Sequence, residues 1–418
     1  MNYFLFFIYL LLFCWLLGKI KFISNCGINN KTIIILFLIR ILFGVINGYI
    51  NLYHYSGTDA AYFHDDGITE YHLLFNNPSE YFSNIFRTNN NFSGFLEIKD
   101  SFWNNLRTNL IIKLLSVFDI FSRCNFFINT IFYNFLVFFG SVALYRIFIK
   151  ILPDKKNILI LCLFLLPSFL YFTSGIQKDG LIFLAIGVSS YHLFNLIKDK
   201  RSFLKKLFWI ITGFIIILLL RNFVFIALIP ALTAWVIAEK IKKFILPLFL
   251  IVYVFFIAVF FGMGSISSKI DLPGYVSARQ IAFVQIAKES NSAININPLF
   301  PNFRSFLNNS PQAINHSLMR PYLTEKFNLL YIPIAIEIFI YEGLLILFLL
   351  FRLKNKKHPP FIYFGIFFSL SMFLMIGYTV PIIGAIVRYR SIYFPLLLIP
   401  IICYTNWIKL KDLLHIKK

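Results

Sequence analysis

Apolar residues in this chain arrive in long, nearly unbroken runs, not at the two-residue spacing of a half-buried strand or the single stripe of a soluble helix. A helix needs about 20 such residues to cross a hydrocarbon core of about 30 Å. Eleven segments read as spans: residues 3–18, 32–50, 126–149, 157–173, 180–197, 207–220, 222–238, 244–262, 329–351, 361–378 and 391–408. The sixth and seventh are short and separated by Arg221 and Asn222 alone, so this pair also reads as a re-entrant hairpin. The expected fold is an all-α polytopic membrane helix bundle, one membrane domain over residues 1–418, with outer loops at 51–125 and 263–328. No internal repeat is visible, and residues 1–18 read as a retained first helix because no small-residue cleavage site follows them.

Composition agrees with the pattern. Of 418 residues, 59% are apolar and 14% charged, where a soluble domain has about 45–50% and about 25%. Soluble multidomain enzymes are excluded. The 53 Phe residues accompany abundant Ile, Asn and Lys and reflect coding bias more simply than function. The five cysteines lie far apart, with no zinc or disulfide spacing, and read as small core hydrophobes.

The net charge of +21 changes the picture once it is located. Six short connections (19–31, 146–157, 198–206, 239–243, 352–358 and 407–418) hold 23 Lys or Arg and four acids. They alternate along the chain so as to fall in one compartment, which the positive-inside rule makes the cytoplasm. The charge is a topology signal, and nucleic acid drops out as a partner. The expected location is the cytoplasmic (inner) membrane, multi-pass, with the C-terminus cytoplasmic. Both long loops then face outward, the first with eight acids and five bases, the second with six bases and three acids. Within the first, Leu106, Leu110, Leu114, Val117, Phe118 and Phe121 recur at helical spacing, with Arg107, Asn109, Ser116 and Asp119 between them, as in a helix lying in the interface.

Three polar clusters carry candidate chemistry. In GTDAAYFHDDG (57–67), helical spacing from Asp59 puts Asp59, Asp66 and Glu70 on one face. A carboxylate partly desolvated by Tyr62 and Phe63 suits a general base toward a hydroxyl, so Asp59, Asp65 and Asp66 are the catalytic candidates. An N-cap at Thr58 or Asp59 followed by a solvated acidic turn is the plainer alternative. His64 with Asp65 and Asp66 also suits a divalent ion, magnesium or manganese, given a further ligand from elsewhere. In PSFLYFTSGIQKDGL (167–181), Lys178 and Asp179 open a span on the outer side, where a cation and free backbone donors suit a phosphate; capping by Asp179 and snorkelling by Lys178 weigh equally. In GAIVRYRSIYFPLLL (384–398), Arg388 and Arg390 break the positive-inside trend, and guanidinium forks match phosphate oxygens; helical spacing lets at most one of them face a cavity. Arg221, Arg279, Arg304 and Arg320 are further outer-side cations. Within the spans, Arg40, Glu337 and Glu342 are charges that lipid disfavours, and an ion pair between Arg40 and one of the glutamates is expected.

These three segments resemble bacterial integral-membrane enzymes of surface-polysaccharide assembly: glycosyltransferases of the GT-C class that use polyprenyl-phosphate-linked sugars, and the related O-antigen polymerases. The resemblance implies an Asp in the first outer loop as catalytic base, matching Asp59, or else Asp65 or Asp66, with interface-lying helices after it, matching 106–121. One departure is plain: the acid here follows the second span, not the first. The O-antigen polymerase resemblance implies late outer-loop arginines, matching Arg279, Arg304 and Arg320.

The expected activity is inverting glycosyl transfer on the outer side of the membrane, with His64, Lys178, Asp179, Arg221, Arg304, Arg320, Arg388 and Arg390 as phosphate or substrate contacts. The expected partners are a lipid-linked sugar, membrane lipids and polysaccharide-assembly proteins. Repeat-unit polymerisation is the near alternative. A lipid-linked oligosaccharide flippase is the alternative from another class, disfavoured by the missing repeat and by polar residues crowding one face instead of the midplane.

Overall fold

The computed structural model describes residues 2–55, 58–84, 102–266, 270–325, 331–353 and 358–413, the side chains at 102–105, 107, 265–266 and 411 excepted. Among these residues there is no strand, and twenty α-helices follow one another, with a 3-10 turn at Pro153–Lys155 and a π turn at Leu161–Leu165. They are α1 (Tyr3–Lys19), α2 (Lys21–Ser24), α3 (Asn30–Tyr53), α4 (Asp59–Asn76), α5 (Pro78–Ser83), α6 (Phe102–Ser122), α7 (Phe126–Ile151), α8 (Lys156–Ile160), α9 (Pro167–Ser174) and α10 (Lys178–Lys198). The chain continues through α11 (Phe203–Leu220), α12 (Asn222–Ile241), α13 (Ile245–Ile266), α14 (Leu272–Ala287), α15 (Phe303–Leu318), α16 (Ile332–Leu350), α17 (Pro360–Thr379), α18 (Ile383–Ser391), α19 (Phe394–Tyr404) and α20 (Trp407–Leu413).

Among the described residues eight helices are long and apolar enough to cross a membrane, and ten if each of two bent pairs counts as one span. The protein is therefore an all-α polytopic helix bundle, with fewer full-length spans than the eleven expected. Three differences account for the count. The apolar helix α1 has 17 residues and falls short of the others. The segment expected as the span 157–173 bends by 45° at Pro167, which cannot donate to the turn before it. The last expected span is α19 alone, turned 66° from α18, which carries Arg388 and Arg390. The suggested hairpin at 207–238 resolves into two spans, because α11 starts earlier, at Phe203, and α12 runs on to Ile241.

Contacts gather into two units, residues 1–153 with 163–225, and 154–162 with 226–418. In the first, α7 is the central helix. It meets α10 where Gly140 and Gly187 oppose each other, so close that a Cβ on Gly187 would strike the Gly140 carbonyl. At one end of this unit the basic connections meet: Arg146 donates to Phe22 O (2.7 Å), Lys150 to Asn195 Oδ1 (3.1 Å), and Lys206 to Asn195 O (3.3 Å) and Asp199 O (2.6 Å). At the other end lie the close of α3, the helices α4 and α6, and the starts of α7 and α10. The basic connections of this unit thus share one end of it.

In the second unit α17 is the most buried span. Trp235 of α12 packs on Phe361 and Phe364, Phe249 and Tyr253 of α13 pack on Phe367, and α15 crosses at Gly377.

Candidate functional site

The acidic cluster forms α4. Thr58 caps it, its hydroxyl accepting from Ala61 N (3.3 Å), as the plainer reading of this segment expected. Asp59 stands in the first turn, where the helix dipole favours its anion. Asp59, Asp65 and Asp66 are all exposed. Burial against the neighbouring packing raises the Asp66 carboxyl above its ordinary value, and the charges of Asp65 and Glu70 raise it further. Glu70, expected on the same face, is tied down instead: it accepts from Lys113 of α6 (2.5 Å) and from Asn84 (2.9 Å).

The buried face of α4 rests on α6. Lys113 also donates to Tyr81 O (2.7 Å) and sits over the Tyr81 ring, and the Tyr81 and Ser116 hydroxyls meet at 2.8 Å. Gly67 lets the helices close to where a Cβ would lie 3.1 Å from Leu115 Cβ and 3.4 Å from Asp119 Oδ2. Asp119 is fully buried. Its Oδ1 accepts from Asn129 (2.7 Å) and Ser122 (3.3 Å), while Oδ2 and the neighbouring His64 Nδ1 are buried without a hydrogen bond. Burial raises the Asp119 carboxyl, against the opposing pull of Asn129, His64 and Ser122. Burial lowers His64, with the charges of Asp119 and Asp65 opposing. His64 packs edge-on against Phe126 of α7. His64 thus lies near enough to Asp119 for their charges to act on each other, a proximity the sequence reading missed, since Asp119 stood there only as a polar residue interrupting an apolar pattern.

Lys178 joins this end of the unit. Its ammonium donates to Thr108 of α6 (3.2 Å) and lies 5.3 Å from the centre of the Phe63 ring, so the start of α10 is joined to both α4 and α6. Asp179 and Arg221, both expected as substrate contacts, pair with each other at 2.8 Å and are buried. They brace α10 against the end of α11. Arg40 finds its partner in a backbone carbonyl, donating to Thr173 O (2.7 Å), and not in a glutamate as expected.

The other candidate cations belong to the second unit. Arg390 is buried; one of its terminal nitrogens donates to Ser317 O (2.7 Å), while Nε and the second terminal nitrogen have no hydrogen bond. Glu337, Tyr341 and Glu342 lie near enough for their charges to act on it, and the Tyr341 hydroxyl donates to Glu337. Arg388 is half-buried over Tyr389. Arg320 pairs with Glu325 (3.1 Å), Arg279 lies against Tyr275 and Phe283, and Arg304 is exposed in the first turn of α15. A cavity of about 230 Å³ opens between Met319, Tyr322, Leu323 and Thr324 on one side and Ala335, Ile338, Phe339 and Glu342 on the other.

Among the described residues no three His, Cys, Asp or Glu side chains gather to hold a metal ion, His64, Asp65 and Asp66 included. Comparison with family models, with curated proteins and with solved structures finds no match to this chain.

Proposed function

We propose that this protein is a membrane-embedded glycosyltransferase that takes a sugar from a polyprenyl-phosphate carrier, on the outer side of the cytoplasmic membrane, in surface-glycan assembly. The observation that carries the reading is the exposed acid face of α4, set directly after a span and backed by α6, with Lys178 at the same end. Asp66 is a better base than Asp59 because its raised carboxyl grips a proton more firmly, whereas the helix start stabilises the Asp59 anion. An inverting transfer needs that proton removed from the acceptor hydroxyl as the sugar carbon leaves the carrier phosphate. Lys178 is the cation of the first unit suited to the departing phosphate. The opposite, basic end of the first unit supports the cytoplasmic orientation.

A polymerase would lean on Arg279, Arg304 and Arg320, of which Arg320 is engaged by Glu325; this favours the single-sugar transferase.

The test is the lipid-linked glycan profile of cells carrying Asp66→Asn or Asp59→Asn in place of the parent chain. A polyprenyl-linked sugar accumulating with Asp66→Asn, and less with Asp59→Asn, supports the reading. Loss of long chains alone, with single repeat units kept, turns it to polymerase. Unchanged profiles at normal expression refute it.

A further inference from the structure

The helix α15 presents three different faces. Phe306, Ala313, His316 and Ser317 are buried. They meet Phe260 and Phe261 at the end of α13, Tyr378 and Gly377 of α17, and Arg390 of α18. Phe303, Leu307 and Ile314 are exposed, at 54%, 57% and 37%; at 3.6 residues per turn they fall within about 40° of one another. Arg304, Asn308 and Asn315 are also exposed and occupy the next sector round the helix.

A soluble surface helix has two faces, one packed and one wet. A third, apolar and uncovered, needs a third environment. That stripe continues an apolar surface: Phe303 touches Phe261, and α13 leads there with Val254, Phe255 and Ile257 exposed and only 6% of its span buried. Residues 303–318 contain no Asp or Glu, and Arg304 stands at the edge of the polar sector nearest the stripe.

We infer that α15 lies along the membrane surface and binds the bilayer itself, with Phe303, Leu307 and Ile314 set into the headgroup and acyl boundary and Arg304 at the lipid phosphates. Such a helix sits about 5–10 Å into that boundary. The inference rests on the packing of α15 alone and holds whether or not the protein transfers sugar.

The test is depth-dependent quenching on the full chain in phosphatidylcholine–phosphatidylglycerol vesicles. Leu307→Trp, Ile314→Trp, Asn308→Trp and Asn315→Trp are compared after subtracting the parent's emission. Lipids brominated on the acyl chain should quench positions 307 and 314 and spare 308 and 315, and aqueous iodide should do the reverse. Iodide reaching all four sites equally would overturn the inference. So would protection of 307 and 314 from both quenchers together with cross-linked dimers, which would mean a second copy covers the stripe. Unfolding midpoints matching the parent's identify variants that keep the fold, and bimane attached at Leu307→Cys gives the same reading should a Trp not be tolerated.

Discussion

Arg221 and Asp179 face each other at 2.8 Å with almost no exposure of either side chain. They lie in sequence at two separate ends of spans, and their pairing fixes the end of α11 to the start of α10. A buried pair that loses one partner leaves an uncompensated charge, costing about 3–5 kcal/mol. Arg221→Met should therefore lower the unfolding midpoint in detergent sharply, and Asp179→Leu added to it should restore much of the loss. A double variant no better than the single would show that the pair does not act as a unit.

The mutual influence of the His64 and Asp119 charges makes the docking of α4 on α6 depend on pH, with opposite signs for the two groups. His64 is pushed below its ordinary 6.5, so its contribution is present above 6.5 and is lost as pH falls through the folded value. Asp119 is pushed above its ordinary 3.8, so its contribution is present below 3.8 and is lost as pH rises through the folded value. Asp65 acts on His64, and Asp65 and Glu70 act on Asp66, which is raised like Asp119. On acidification from above 6.5, the parent should become protease-sensitive near α4 sooner than His64→Gln. Asp119→Asn should be more resistant than the parent at neutral pH. Parallel curves for all three would remove the pair as a source of pH dependence.

Lys113 holds α6 to α4 through Glu70 and to the end of α5 through Tyr81 O. Hydrogen bonds to charged groups contribute about 1.5–3 kcal/mol. Lys113→Met should loosen α4 by about that amount, read as faster amide exchange along α4 with α7 unchanged. Equal exchange in both helices would mean the loss is global.

Glycines offer a matched pair of outcomes. A methyl at Gly377 would run into the Ala313 carbonyl, whereas nothing lies within 4 Å of one at Gly343. Gly377→Ala should destabilise by about 1–3 kcal/mol, and Gly343→Ala, in mid-helix, should stabilise by roughly 0.5–1 kcal/mol. Thermal unfolding separates them; the same sign for both would refute the close crossing of α15 and α17.

Much of this architecture was legible in the hydrophobic pattern, because lipid imposes length and composition on any spanning helix. The pattern also revealed a helix at 106–121 without fixing its inner face: Leu106 and Phe118 are buried, Val117 and Phe121 are exposed, and Ile111, Ile112 and Leu115 are buried beside Lys113, Ser116 and Asp119. Periodicity counts apolar residues, and α6 is apolar on both sides; what chooses its inner face is the set of polar partners, Glu70, Tyr81 and Asn129, that no local pattern displays. The pairing of Asp179 with Arg221 escaped for the same reason: Asp179 had a sufficient local explanation as a cap, and Arg221 stood only as one more outer-side cation. The acids of α4 were legible because they are exposed and clustered, which is also why their preference among themselves had to wait for the packing around Asp66.

The three carbonyls where α9 stops have consequences for any attempt to move this junction. Arg40 serves Thr173, Asn134 serves Ser174 (2.8 Å), and Tyr133 serves Gln177. All three donors come from α3 and α7. A helix that ends among apolar neighbours leaves its last carbonyls without partners unless side chains reach them, so the position of Lys178 is dictated from outside its own segment. Transplanted by itself, the stretch 167–181 would arrive without its clasps and would not place that lysine; carried together with Arg40, Tyr133 and Asn134, it becomes a transferable part.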